Sequence, residues 1–207
     1  MIRIARAACR ALSVSGVVIA SSACGVTDVV RPEPTATLTQ QRLSGFVPSA
    51  ASLSLGIPDG IYIFTIDPAQ AQSLLLGAAR LDIPGNAICS LAGSGYGAAY
   101  WNSDCAPETQ FVTITVTARG ANSDHPRVDF SPALRFSPRT SVTLYMYGKG
   151  LTKKKAESWL IYYCDERKNN ACVNESLTDP SLVSYLDKKA SVIFRRIKHF
   201  SGYLVAE

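Results

Sequence analysis

The chain has only two histidines, His125 and His199, far apart and with no Glu or Asp at metal-ligand spacing. No C-x-x-C pair occurs among its six cysteines. Those two absences argue against a zinc centre, so no metal and no cofactor is expected. The glycine-rich run around Gly93, Gly95 and Gly97 lacks the G-x-x-x-x-G-K-[ST] spacing and a following helix, which excludes a phosphate loop. No Ser-His-Asp set follows from the spacing. After the N-terminal run, nothing is long and apolar enough to span a bilayer, which takes ~20 predominantly apolar residues. There is no internal repeat.

What is there begins with an address. Residues 1–10, MIRIARAACR, hold Arg3, Arg6 and Arg10 and no acid. The uncharged ALSVSGVVIA follows, then the small residues Ser21, Ser22 and Ala23, then Cys24. A basic start, a short apolar run and a small-residue exit describe a secretory signal. Two cleavage readings compete. In one, a peptidase cuts near Ser-Ser-Ala and Cys24 is an ordinary residue. In the other, residues 21–24 resemble the bacterial lipoprotein box, whose cysteine is diacylated and becomes the mature N-terminus. Ser22 and Ala23 match it; Ser21 stands where the box usually has Leu. Stable anchoring takes about two acyl chains, which a lipidated Cys24 would supply. Gly25, where inner-membrane lipoproteins often have Asp, points to the outer membrane of a bacterial envelope.

The formal charge of +5 overstates the mature basicity. Loss of residues 1–23 removes three arginines and no acid, leaving 18 basic against 16 acidic groups, or +2. A nucleic-acid partner is not expected. An apolar share of 47% suffices for a core. Once Cys9 leaves with the signal and Cys24 carries lipid, Cys89, Cys105, Cys164 and Cys172 remain. An even set in an exported chain reads as two disulfides. Of three pairings, the local one (89–105 and 164–172) is favoured, because each pair brackets a polar loop containing Gly or Asn.

Along the chain, residues 24–57 read as a flexible tether, rich in Pro, Thr, Ser and Gln and without periodicity. From residue 58 to 207 the pattern is that of strands. Phe111–Arg119 alternates, with Val112, Ile114, Val116 and Ala118 to one face and threonines to the other. SVTLYMYG (141–148) alternates again, with Val142, Leu144 and Met146 inward. Segments 61–67, 74–84, 127–130, 133–136, 158–164, 191–200 and 202–207 supply further strands. Residues 180–189 are the one helical candidate. Eight or nine short strands without crossover helices predict an all-β, antiparallel sandwich.

Two stretches carry a resemblance. GAARLDIPGNAI (77–88) is similar to the Gly…Leu-x-Ile-Pro-x-x-Ala-Ile signature of the domain shared by zonula occludens proteins, ankyrins and netrin receptors. VDFSPALRFSPRTSVTLYM (128–146) is similar to a later stretch of that domain. The likeness covers roughly residues 60–147 and departs from the pattern at the cysteine-bearing insertion 89–110. It implies a β-sandwich used for protein contacts, here in a bacterial lipoprotein setting, and not an enzyme.

His199-Phe200-Ser201 is similar to the self-cleavage site of some proteins with that sandwich and of a nuclear-pore autoprotease. Ser201 would attack the Phe200 carbonyl, an N-to-O acyl shift, with His199 polarising the bond or taking the hydroxyl proton. The plain alternative is a terminal strand in which Phe200 and Tyr203 pack and Ser201-Gly202 bends. The loop 89–105 places Tyr96, Tyr100 and Trp101 between two cysteines. These rings are a candidate sugar- or peptide-binding platform, or a cap on one end of the core. Lys153, Lys154 and Lys155, and Arg195, Arg196 and Lys198, form basic runs that face an anionic partner or simply solvent. The expectation is therefore a lipid-anchored envelope protein carrying a non-enzymatic interaction module, with an unknown protein or glycan partner. Self-cleavage at Phe200–Ser201 and carbohydrate binding through the 89–105 loop are the alternatives.

Overall fold

A computed structural model describes residues 59–121, 123–148, 151, 158–165 and 171–207. Cys24, the tether and the lysine run 153–155 lie outside these residues. The described chain is an all-β sandwich of eleven strands in two antiparallel sheets. The strands are β1 Gly60–Ile66, β2 Gln72–Leu76, β3 Ala79–Ile83, β4 Val112–Arg119, β5 Arg127–Ser131 and β6 Val142–Tyr147. They continue with β7 Leu160–Asp165, β8 Ala171–Val173, β9 Tyr185–Asp187, β10 Val192–Ile197 and β11 Gly202–Ala206. One sheet runs β1-β4-β5-β11-β7-β8, and the other β2-β3-β6-β10-β9.

Alternation decides which residues meet between the sheets. In β4, Val112, Ile114, Val116 and Ala118 are buried and their neighbours are not. In β6, Val142, Leu144 and Met146 point inward, as the period of two requires. They join Leu81, Ile193 and Ile197 of the same sheet, and Ile66, Val128, Ile161 and Val205 of the facing one, in one core. At ~25 cal/mol per Å2 of apolar surface, this shared interior is the main favourable term in folding.

Several segments differ from the sequence reading. Residues 74–84 form a hairpin, β2–β3, rather than one strand. Gly77, at φ 59°, opens a two-residue turn that brings Leu76 opposite Ala79. Residues 133–136 make only isolated bridges, Ile88 to Phe136 and Arg135 to His199. Residues 180–189 are not a helix. Asp179 caps a 3-10 turn at Pro180–Leu182, then Val183 is extended and β9 begins. β8 and β9, three residues each, are too short to leave a periodic signal.

Both disulfides take the local pairing. Cys89–Cys105 closes the long β3–β4 connection, with Cα atoms 5.5 Å apart. Cys164 and Cys172 face each other across the β7–β8 pair.

Leu144 is the most central probe of this core, fully buried in β6 between β3 and β10. Leu144→Ala is expected to lower unfolding free energy by ~2–5 kcal/mol. Denaturant titration with the disulfides intact measures it.

Candidate functional site

The residues that carry chemistry gather where β10 passes into β11. His199, Phe200 and Ser201 form that link, and three foreign segments close around it. The backbone of Phe200 donates to the Leu134 carbonyl at 2.8 Å, and the Ser201 carbonyl accepts from the Phe130 amide at 3.0 Å. The Phe200 carbonyl accepts from the Tyr96 hydroxyl at 2.7 Å. The Ser201 hydroxyl donates to the Cys164 carbonyl at 3.1 Å. Gly202 is required by close approach. A Cβ there would lie 2.5 Å from Asp129 Oδ1 and 3.1 Å from the Cys164 carbonyl oxygen.

His199 is buried, only 1% exposed, between aromatic rings. Trp101 stacks on it at 4.1 Å with an 18° tilt, and Tyr163 meets it edge-on at 4.8 Å. Its Nε2 lies 3.1 Å from Glu175 Oε1, and its Nδ1 has no hydrogen-bond partner among the described residues. Glu175 Oε2 accepts from Arg195 Nη2 at 2.5 Å. Arg195 is fully buried and also donates to the Ile161 carbonyl at 2.8 Å. Burial pushes the Glu175 carboxyl up, but His199 and Arg195 together hold it below its ordinary value. An ionised carboxylate only accepts, so Nε2 of His199 carries the proton toward it.

Two phenols complete the surround. Tyr203 donates to the His199 carbonyl at 2.6 Å, and burial pushes its hydroxyl well above the ordinary range, so it stays a neutral donor. Burial first, and Asp165 second, also raise Tyr163. Beside this cluster a cleft of about 190 Å3 is lined by Tyr96, Phe130, Asp165, Phe200 and Ser201 among others.

The structure thus brings His199, Ser201, Tyr96 and Trp101 together. Tyr100 stays exposed, while its carbonyl accepts from Arg135 Nη1 at 2.8 Å. The side chains of the basic residues Arg195, Arg196 and Lys198 are engaged within the protein. Arg195 points inward, Lys198 is buried against Asp179 and Asn102, and Arg196 donates to the Pro138 and Thr140 carbonyls. His125 lies apart, stacked on Trp159 with Nδ1 3.1 Å from the Val205 carbonyl. Among the described residues, no cluster of His, Cys, Asp and Glu can hold a metal.

Glu175, Asp165 and Tyr163 were not singled out by sequence. The only available signal was the Asn174-Glu175-Ser176 run, which forms a capped turn in which Asn174 Oδ1 accepts from the Ser176 amide at 3.0 Å. No protein-family model, curated protein or solved structure matches this chain.

Glu175 gives the cluster a pH dependence. A carboxyl held below its ordinary value of 4.5 contributes stability that is full above that value and lost as pH falls through the lower, folded pKa. Glu175→Gln is expected to destabilise by ~3–5 kcal/mol near neutrality, because Arg195 is left buried and uncompensated. It is also expected to flatten the stability loss in acid below about pH 4.5. Unfolding titrations across that range measure both effects.

Proposed function

We propose that the chain is an exported, lipid-anchored protein of a bacterial envelope whose β-sandwich is a non-enzymatic interaction module. The observation that supports it best is the pair of local disulfides on an all-β domain. Such bonds persist in oxidising compartments outside the cytoplasm. Pairing those four thiols leaves Cys24 as the mature cysteine without a role, which fits acylation. The resemblance to the zonula occludens, ankyrin and netrin-receptor domain supports the module reading. So does β1, an edge strand among the described residues, whose outer face presents Ile61 and Ile63 at 69% and 60% exposure. Metabolic labelling with a fatty acid is expected to mark the wild type and not Cys24→Ser. Equal label in both removes the anchor from the proposal.

A second reading is favoured by one contact, the Tyr96 hydroxyl on the Phe200 carbonyl. In an acyl shift the Ser201 oxygen adds to that carbon, the carbonyl oxygen gains negative charge, and a donor already in place stabilises it. The peptide nitrogen leaves as an amine and water then opens the ester. Against it, the Ser201 proton points to a backbone carbonyl and not to a base. Intact-mass analysis of purified protein decides. Loss of about seven C-terminal residues, abolished in Ser201→Ala and slowed in Tyr96→Phe, is the expected result of cleavage. An intact chain after prolonged incubation ends this reading.

A further inference from the structure

Among the described residues the two sheets end on four strands, β1 and β8 in one and β2 and β9 in the other. An open sheet edge is a row of backbone donors and acceptors that another strand can complete. β8 and β9 hold only three residues each, and edges that short resist pairing. β1 is the longest of the four, seven residues without a charge, a proline or a bulge. All seven pair in unbroken register with β4, from Gly60 opposite Ala118 to Ile66 opposite Val112. Among the described residues, nothing pairs with the other edge of β1.

Its side chains are incompletely covered on both faces. Ile61, Ile63 and Thr65 stand outward and exposed. On the inner face Tyr62 is buried. Phe64 stacks beside it, with ring centroids 6.4 Å apart, and is only partly buried. A strand laid along this edge would bring cross-strand neighbours to Ile63 on one face and to Phe64 on the other.

The order of residues in β1 selects the occupant. Antiparallel pairing of two β1 strands about Ile63 sets each Ile63 opposite the other. It sets Ile61 opposite Thr65 and Tyr62 opposite Phe64, twice each by symmetry. Every such pair joins like kinds, β-branched to β-branched on the outer face and aromatic to aromatic on the inner one. Those are pairs that stabilise a sheet. No like charges are brought together within the strand, which is GIYIFTI. Just beyond its ends, the Asp59 carboxylate accepts from the Gly120 and Ala121 amides at 2.9 and 2.8 Å, and Asp67 from the Ala69 amide at 3.1 Å. Both carboxylates are thus engaged within their own chain. A strongly charged partner finds nothing on β1 to match, whereas a second β1 matches it position by position. We propose that two copies of this chain associate through antiparallel β1–β1 pairing, which joins their β1-β4-β5-β11-β7-β8 sheets across a twofold axis. The same patch is used on both sides, so the assembly closes at two. This deepens the interaction-module reading, on which it rests, by making the partner a second copy. It does not depend on lipidation of Cys24.

The test is sedimentation equilibrium of the full chain carrying Cys24→Ser, so that no acyl group drives association. A concentration-dependent dimer is expected. Ile63→Lys in that background sets two ammonium groups opposite each other and is expected to weaken the dimer about tenfold or more. Ile63 lies outside the core, so the unfolding temperature of the monomer is expected to stay near its original value. Ile63→Cys is expected to give a covalent dimer on mild oxidation, with peptide mapping placing the bond between the two copies of position 63. Directly opposed strand residues lie ~4.5–5.5 Å apart, within disulfide reach. Ile61→Cys is expected to give none, because Thr65 and not Ile61 stands opposite it. A monomer at every concentration overturns the inference and leaves the β1 edge to residues 1–58 or to another protein's strand. So does an open-ended oligomer, or a dimer that survives Ile63→Lys. A monomer whose wild type still takes fatty-acid label overturns this inference alone, and equal label in wild type and Cys24→Ser overturns the anchor alone.

Discussion

An arginine inside a β-sandwich is the constraint around which one end of this molecule is arranged. Arg195 occupies an inward position of β10, in phase with Ile193 and Ile197, and is fully buried. An unpaired cation there would cost several kcal/mol. Its fork is answered by the Ile161 carbonyl on the opposite sheet, by its neighbour's carbonyl and by Glu175. Glu175 must therefore sit at the sandwich end, which fixes the capped turn Glu175–Leu177 between β8 and β9. The same carboxylate faces His199 through its second oxygen. One acidic group thus fastens two sheets and the β10–β11 link. A buried pair of this kind is weak evidence for net stability, since a well-packed apolar replacement often does as well. Its consequence is geometric: it selects one arrangement of the turns around it.

The disulfide loop is held by the same end of the molecule. Cys89–Cys105 shortens the free path of the β3–β4 connection, and the entropy removed from the unfolded chain is worth ~3 kcal/mol for a loop of this size. Closure alone would not dock the loop. Docking comes from Arg135 donating to the Tyr100 and Ser103 carbonyls, from Lys198 on Asn102, and from Tyr96 and Trp101 against the His199–Phe200 link. Two aromatic side chains that look like exposed binding groups in a glycine-rich loop are spent mainly on the protein itself. They cover His199, whose Nδ1 is buried without a partner among the described residues. Such an orphan costs ~1–3 kcal/mol, and it persists because the stack and the Glu175 contact fix the ring.

The parts of this fold that were legible in sequence are those governed by local rules. β4 and β6 alternate without interruption, so their inward residues could be named. The disulfide pairing was legible because each pair brackets its own loop. What was not legible depends on partners distant in the chain. Arg195-Arg196 reads as a solvated pair, and nothing local says that one points inward, toward a carboxylate twenty residues earlier. Pro180 after Asp179 is a true turn-opening signal. What it opens is a single 3-10 turn, because the chain must then extend to pair β9 with β10. The site is least legible of all. His199 and Ser201 were visible as a motif, whereas the Tyr96 contact spans 104 positions and Glu175 lies in an unremarked turn.

The outward positions of Tyr145, Phe194 and Tyr185 follow from the same register logic that builds the core. In a strand, choosing the inward set also chooses the outward set, and a slip of one residue would exchange them. Leu144 opposite Arg195 holds β6 and β10 in register, and that alignment places Tyr145 opposite Phe194. Phe194 and Tyr185 are aligned by the β9–β10 pairing, which is only three residues long. A three-residue edge strand has little ladder energy of its own. Tyr185 stacked on Phe194 adds a cross-strand aromatic contact of roughly 0.2–1 kcal/mol to that pairing. The stack therefore helps hold β9 in place, although Tyr185 is more than half exposed.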